Sequence, residues 1–464
     1  MANALTKIKA DGLTADLIDE TKIADNGIDS EHYNDGSIDH EHLANDAVDA
    51  DILADNSVGL AAMAHGTDGQ IITYDASGAP IAVGPGTDGQ VLTSTGAGSP
   101  PAFEAIPAGG AATNLIINGA MNVAQRAATS TSGGYQVIDR WQLNDNNTNV
   151  TITQAQHALT SSDTGPWAKG FRNSYHASLS GAGNSLDGAS YARLKYVVEA
   201  QDMACSGWDY TSASSYITLS FWFKCSTNQT FHGKVHTEDG TGQAYPFSFT
   251  ATGNDTWTKI TKTIPGNTNV TIDNNTGYGL GLYISLHHGS NYTGSPTLNT
   301  WAAHSSSAQF PTDASTWLTA GASTFEMTGV QLEVGDTASD FAHKTYGDEL
   351  QECLRYYHNY KGDNGDSIGI PGSAWDTNFF SFMLQHPVPM RAIPTLIGTS
   401  TNARFQAEND SDNWTLADMA IQNVPTDGRT LVFAKSSSGS GTVGQAGNLQ
   451  FNADNSILGF SAEL

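Results

Sequence analysis

The chain has 464 residues, with 47 acidic and 20 basic side chains, a formal net charge of −27. A surface so acidic is a poor partner for nucleic acid, where affinity comes from neutralising phosphates with Lys and Arg. Charged residues make up only 14%, while glycine alone numbers 48, a profile of many short strands and turns rather than long helices. Three cysteines, Cys205, Cys225 and Cys353, are too few and odd in number for a disulfide framework, which predicts assembly in a reducing cytoplasm. No stretch reaches the ~18 apolar residues of a spanning helix, and no basic segment leads into an apolar run near residue 1, so neither membrane insertion nor a signal peptide is expected.

In chain order, residues 1–12 are too short to fold alone and are read as an attachment peptide. Residues 13–63 repeat in steps of ten: LTADLIDETK, IADNGIDSEH, YNDGSIDHEH, LANDAVDADI, LADNSVGLAA. Leu13, Ile23, Tyr33, Leu43 and Leu53 open the steps, and Ile18, Ile28, Ile38, Val48 and Val58 stand sixth. An apolar residue at every fifth place fits neither a helix nor a half-buried strand. It cannot enclose a core within one chain. Three chains about an axis would supply three inward groups per level, so the array predicts a homotrimeric shaft. A solvated acidic linker and a single-chain pentapeptide coil are the other readings of this spacing. Residues 1–60 hold fourteen Asp and Glu against three Lys, so a trimeric shaft should respond to salt or bound cations.

Two copies of a second unit follow, GTDGQIITYDASGAPIAVGP from Gly66 and GTDGQVLTSTGAGSPPAFEA from Gly86. Turn residues around a short β run predict hairpins with strands at Ile71–Thr73 and Val91–Thr93, which six copies in a trimer would pack as a collar. These hairpins resemble those recurring in phage tail-fibre proteins. Residues 64–113 therefore form a hairpin region, closing in a flexible joint, AIPAGGAAT (105–113).

The body, 114–346, is dense in strand signals: Asn114–Ile117, Tyr135–Leu143, Val150–Ala155, Tyr191–Glu199, Tyr216–Lys224, Thr230–His236, Tyr245–Thr250, Thr256–Ile264, Gly279–Leu286 and Ser323–Val334. With no long amphipathic helix between them, they predict a β-sandwich of jelly-roll type. In YITLSFWFK, Ile217, Leu219, Phe221 and Phe223 alternate with Thr218, Ser220, Trp222 and Lys224, one face buried and the other partly exposed. NLIINGAMNVAQR (114–126), YQVIDRW (135–141) and FEMTGVQLEVGDTASDFAHKTYGDELQECLRYYHNY (325–360) resemble, in order, a jelly-roll domain of phage fibre proteins that is similar to carbohydrate-binding modules. A connecting helix is expected over 347–360, with Leu350, Leu354 and Tyr357 on one face. Residues 361–464 read as a C-terminal β-sandwich, with Pro387, Pro389 and Pro394 at a sheet edge or bend. The whole is an all-β, elongated homotrimer with one short helix between its two sandwiches.

No catalytic motif is found: no GxSxG elbow, HExxH or P-loop. The pairs Glu199/Asp202 and Glu326/Glu333 do not stand out among 47 carboxylates, so no enzyme is expected. His40 and His42 lie two residues apart, with His32 one repeat before His42. In a trimer they would form a transition-metal cage, or, as at other polar positions of the repeat, simply face solvent. No cofactor is required, and the acidic loops Asp363–Asp366 and Glu408–Asp412 lack a recognised calcium spacing. Glycan binding would use loop aromatics, with Trp208, Tyr210, Tyr292, Trp301 and Trp317 as candidates, either stacking on sugar or packing inside. A second group in the terminal region is Trp375, Phe379, Phe380 and Trp414. Trp141, Trp222 and Trp257 are assigned to the core.

The resemblance implies a virion appendage, anchored through its N-terminus to a tail or capsid protein, that recognises a host-surface polysaccharide. A purely structural decoration fibre and a fibre-borne depolymerase remain its rivals.

Overall fold

The computed structural model describes residues 23–24, 27–38, 43, 65–105, 114–312, 316–398, 405–409, 413–423, 428–437 and 441–464. Leu13, Ile18, Val48, Leu53 and Val58, His40 and His42, the attachment peptide and most of the joint lie outside these residues. The chain divides into two compact units, Met1–Glu104 and Ala105–Leu464.

In the first unit, Ile23, Ile28, Tyr33, Ile38 and Leu43 are 41–50% exposed in the single chain. Asp29 caps a 3-10 turn, Ser30–His32, by accepting from the Glu31 N–H at 3.2 Å and pairing with His32 Nδ1 at 2.6 Å. Four strands follow: β1 (Ile71–Tyr74), β2 (Pro80–Val83), β3 (Gln90–Thr93) and β4 (Ala102–Ala105). They form two antiparallel hairpins, β1–β2 and β3–β4. The repeated GTDGQ has one cause in both copies. Gln70 Oε1 accepts from Thr67 N–H, and Gln90 Oε1 from Thr87 N–H, each at 2.7 Å. Gly69 and Gly89 take the left-handed conformations that close these turns, with φ of 79° and 84°.

The second unit opens with two six-stranded antiparallel sheets. Their strands are β5 (Thr129–Ser130), β6 (Gln142–Asn146), β7 (Ile152–Ala158), β8 (Asn173–Leu179), β9 (Tyr191–Glu199), β10 (Tyr216–Cys225), β11 (Thr230–His236), β12 (Gln243–Thr250), β13 (Thr258–Pro265), β14 (Tyr278–His288), β15 (Thr293–Gly294), β16 (Ala302–Ala303), β17 (Phe310–Pro311) and β18 (Thr324–Val334), with a short helix α1 (Ala200–Ala204) after β9. Sheet one runs β13-β10-β18-β8-β7-β5 and sheet two β16-β12-β11-β14-β9-β6, while β15 and β17 pair apart. The alternation in β10 does what its pattern requires: Ile217, Leu219, Phe221 and Phe223 are fully buried against sheet two.

Three expectations are corrected here. Asn114–Ile117 and most of Tyr135–Leu143 are ordered but not strands, because side-chain amides take the place of a neighbouring ladder. Asn114 Oδ1 accepts from Ile116 and Leu332 N–H, both at 3.0 Å, and Asn118 Nδ2 donates to the Val123 and Asp139 carbonyls at 2.9 and 3.0 Å. The helix α2 spans Tyr346–Leu354, not 347–360; the chain enters β19 (Tyr357–Gly362) directly after it. Its buried face is Glu349 and Cys353, one turn apart, with Leu350 and Leu354 only half-buried. The C-terminal part is a closed barrel, not a sandwich. The strands β20 (Ser367–Ala374), β21 (Phe379–Gln385), β22 (Thr395–Ile397), β23 (Phe405–Glu408), β24 (Asn413–Asn423), β25 (Arg429–Ser436), β26 (Ala446–Phe451) and β27 (Ser456–Ser461) complete the chain. The barrel order is β20-β21-β25-β24-β23-β26, around Phe380, Phe382, Phe405 and Leu449. Closure removes the edges that six short strands would otherwise expose. A separate sheet, β19-β27-β22, lies beside it, and Pro387, Pro389 and Pro394 fall in the bend between β21 and β22.

Sandwich and barrel meet at Glu463, whose side chain is 4% exposed. It pairs with Arg140 at 2.6 Å and Arg126 at 3.1 Å. The two guanidiniums stack on consecutive tyrosines, Arg140 over Tyr356 at 3.4 Å and Arg126 over Tyr357 at 3.6 Å. Arg126 also binds Asp139 at 3.2 Å, whose carboxyl burial pushes up to about 6 against the pull of that arginine. Arg355 holds Glu199 of β9 through two hydrogen bonds of 2.8 and 2.9 Å. Glu463→Gln leaves buried Arg140 without its carboxylate and Arg126 with Asp139 alone, so urea denaturation should show a loss of about 3–5 kcal/mol. A midpoint equal to the parent's would remove this pair from the stability of the chain.

His358 of β19 and His386, just past the end of β21, are 3% and 4% exposed, with His358 Nε2 2.6 Å from His386 Nδ1. His386 Nε2 lies 2.5 Å from Thr430 Oγ1, and His358 stacks on Phe460 at 5.0 Å. Burial pulls the pKa of both rings down, favouring the neutral forms. A depressed folded pKa means the unfolded chain takes up more protons. This contribution is therefore complete above the unfolded value of about 6.5 and is lost as pH falls below it. Denaturation midpoints at pH 7.5, 6 and 5 should fall more steeply for the parent chain than for the double variant His358→Gln, His386→Gln. Parallel slopes would show that the pair does not titrate on unfolding.

Candidate functional site

Sheet one turns its second face away from the core. On β10 this face carries Ser220, Trp222 and Lys224, on β18 Glu326 and Thr328, and on β8 Ser174 and His176. Lys259 of β13 lies opposite Trp222 in register. The segment between β7 and β8 folds over one end with a 3-10 turn, Trp167–Lys169. Between them is a cleft of about 280 Å³, lined among others by Trp222, Phe171, Phe341, Lys259, Asp340 and His343. Phe171 is buried, with Trp167, Trp222, Trp257 and Phe341 half-buried around it.

A bulge shapes this cleft. The β10–β18 register slips between Ser220 and Trp222, leaving an extra residue on β18. Gly329 sits at that point with φ 63°, and a Cβ there would fall 2.5 Å from Phe171 Cζ. The missing side chain gives Phe171 its place, where it meets Phe341 edge-on at 4.8 Å. His343 Nε2 donates to the Lys169 carbonyl at 2.8 Å and closes the rim.

Beyond Trp222 the same face turns ionic. Lys224 Nζ bridges Asp163 Oδ1 and Glu326 Oε1, both at 3.1 Å, and lies 5.0 Å from the Trp257 ring centre. The indole of Trp257 donates to Asp163 at 3.0 Å. Glu326 Oε2 accepts from Ser174 Oγ at 2.7 Å and from His157 Nδ1 at 3.0 Å. Burial alone would raise the Glu326 pKa, but the His176 ring 3.5 Å away, the hydrogen bonds of His157 and Ser174 and the Lys224 charge hold it well below the usual carboxylate range.

The aromatics selected from the sequence are placed differently. Trp208, Trp301 and Trp317 are 3%, 8% and 0% exposed and belong to the sandwich core. Each indole N–H finds a backbone carbonyl, of Ser215 at 3.3 Å, Pro265 at 2.6 Å and Thr324 at 3.2 Å, so burial leaves no polar atom unpaired and no ring face for a ligand. Tyr210 is half-buried against Trp208, and Tyr292 edge-on against Tyr191 at 5.2 Å. Conversely Trp222 and Trp257, assigned to the core, are half-exposed on the outer face. The signal for Trp222 was the alternation itself, which puts it with Ser220 and Lys224. In the terminal barrel, Phe380 and Trp414 are core, while Trp375 is 67% exposed and Phe379 36%. Of these carboxylates, Glu199 is held by Arg355, Glu326 by Lys224, and Glu333 by the Ser339 N–H at 2.9 Å and hydroxyl at 2.6 Å. Asp363 and Asp366 are turn acceptors, for the Asn455 and Asp363 N–H groups. Among the described residues no helix is long and apolar enough to cross a membrane.

No protein-family model and no curated protein matches the sequence. Solved structures do. The enzymatically active domain of tailspike protein 4 from bacteriophage CBA120 is similar over 48% of this chain and 21% of its own, at 13% identity and TM-score 0.26. This chain thus spans about a fifth of that protein. A family 11 carbohydrate-binding module of a Clostridium thermocellum cellulase is similar over 46% and 96%, at 10% identity and TM-score 0.24. TmCBM61, bound to β-1,4-galactotriose, is similar over 48% and 99%, at 12% identity and TM-score 0.23. Each likeness is too low in identity and score to fix a ligand.

Gly329→Ala should cost about 1–3 kcal/mol in urea denaturation, from an unfavourable φ and a clash with Phe171. It should also shift the fluorescence of the indoles beside Phe171. An unchanged midpoint and spectrum would show that the bulge does not set the position of that ring.

Proposed function

We propose that this chain is a homotrimeric fibre adhesin that binds a cell-surface polysaccharide in the Trp222 cleft. The observation that carries the reading is the cleft's composition. Trp222 offers a half-exposed ring, Phe171 and Phe341 wall it, and Lys259, Asp340 and His343 stand at its edge. A sugar ring needs this combination, its C–H face against an aromatic and its hydroxyls on polar groups. The trimer is supported by the apolar row from Ile23 to Leu43, exposed in one chain and spaced for burial by two others. Three weak clefts on one shaft gain by avidity, which suits attachment to a repeating polymer. In this reading the N-terminal residues hold a tail or capsid protein, and no bond is cleaved. Asp340, the carboxylate that lines the cleft, pairs with Lys169 at 3.4 Å, and Glu326 and Asp163 beyond it are tied to Lys224 rather than facing each other as an acid–base pair.

The full-length chain should sediment as a trimer and bind extracted host-surface polysaccharide saturably without shortening it. Trp222→Ala should weaken binding about tenfold or more, equivalent to about 1.4 kcal/mol per site, with circular dichroism unchanged. A monomer would overturn the shaft. Shortened polymer would favour a depolymerase, and absence of binding a structural fibre.

A further inference from the structure

We infer that His157, His176 and Glu326 form a binding site for one divalent transition-metal ion, with Zn²⁺ or Co²⁺ the fitting class. The three residues come from three adjacent strands, β7, β8 and β18, and meet only because of sheet register. His176 pairs with Ala155 on one side and Glu326 on the other. One ligand atom from each lies within 4.8 Å of the others. His157 Nδ1 is 3.0 Å from Glu326 Oε2 and His176 Nδ1 is 3.5 Å from Oε1. A tetrahedral ion with bonds of about 2.0–2.2 Å needs ligand atoms roughly 3.3–3.6 Å apart, so small side-chain rotations suffice.

Three further observations support a cation here. Glu326 is 5% exposed and fixed by Ser174 and Lys224, the kind of hydrogen-bonded support that orients a ligating carboxylate. His176 Nδ1 is buried without a hydrogen-bond partner, pointing toward that carboxylate. The local charge is also favourable: Glu326 and Asp163 face a single ammonium, Lys224, which spends part of its charge on Asp163. One net negative charge and two imidazoles remain. Two nitrogens and one oxygen select a borderline-soft ion over Ca²⁺ or Mg²⁺. His157, 50% exposed, leaves the fourth position open to water. On binding, each imidazole offers Nδ1 to the ion and carries its hydrogen on Nε2.

The test uses the full-length chain without an affinity tag. Co²⁺ titration followed by visible absorption, with Zn²⁺ equilibrium dialysis alongside, should give one saturable equivalent per chain at this site. That equivalent should vanish in His157→Ala and in His176→Ala, weaken at least tenfold in Glu326→Gln, and survive in His40→Ala, His42→Ala. His157 is exposed enough for its variant to keep the fold, which circular dichroism would verify. The inference is overturned if the same equivalent persists in both single-histidine variants, or if the parent binds neither ion more tightly than about 1 mM. It does not depend on glycan binding: the Trp222→Ala chain should take up the ion unchanged.

Discussion

One buried carboxylate ties the second unit together. Glu463, one residue before the last in the chain, neutralises Arg126 and Arg140, which sit in the irregular segments that open the sandwich. Neither guanidinium could be buried alone, since an unpaired charge in a dry site costs several kcal/mol. Arg140 therefore needs the end of the chain in place, Arg126 shares that carboxylate with Asp139, and each stacks on a tyrosine of the segment leading out of α2. Arg391 adds a backbone link by donating to the carbonyls of Ala462 at 2.7 Å and Glu463 at 3.1 Å. Sandwich, helix and barrel sheet are thus mutually dependent, and one compact unit is the consequence.

The three stretches 114–126, 135–141 and 325–360 converge on this junction. Asn114, Asn118, Arg126, Asp139 and Arg140 come from the first two, and Glu349, Cys353, Tyr356 and Tyr357 from the third. Glu349 accepts from the Asn118 N–H, joining helix to opening segment. Gly119 has no room for a Cβ, which would fall 2.0 Å from the Val330 carbonyl oxygen. These residues are constrained by buried polar bonding and close backbone approach, not by a ligand. A motif of this kind reports how the sandwich is closed and is silent on what it holds.

Much of the sandwich was legible because its strands are long and alternate strongly. β9, β10, β11 and β18 lie within a residue or two of expectation. β8 is the strand missing from that reading: NSYHASL alternates Tyr175, Ala177 and Leu179 with Ser174, His176 and Ser178, but Tyr175 is its one residue of high strand propensity. The opening segments looked like strands because their apolar residues are buried, yet asparagine side chains rather than a neighbouring ladder take up backbone groups there. Strand lengths carry no sign of closure, which depends on which edges meet, so the sequence points to a sandwich where the chain forms a barrel. Loop tryptophans misled for a different reason. A surface loop can still send an indole inward once a backbone carbonyl accepts its N–H, as for Trp208 and Trp301.

The outer face of sheet one follows from the same physics read the other way. β10 spends its odd positions on the core, so whatever stands at 220, 222 and 224 must face outward regardless of hydrophobicity. A tryptophan there has too much apolar area to be left bare, and the chain covers it partly, with Gly165 packing so closely that a Cβ would lie 2.7 Å from the indole. Full coverage would need a bulkier lid. The bulge at Gly329 instead makes room for Phe171, and Trp222 stays half-buried in the cleft that the two share. Next to it, Lys224 is desolvated enough to require two carboxylates, and those carboxylates draw in Trp257 and the histidines. An aromatic cleft beside an ion-rich strip is therefore one construction, arising from a single strand whose pattern of two places Ser, Trp and Lys in a row on the wrong side for the core.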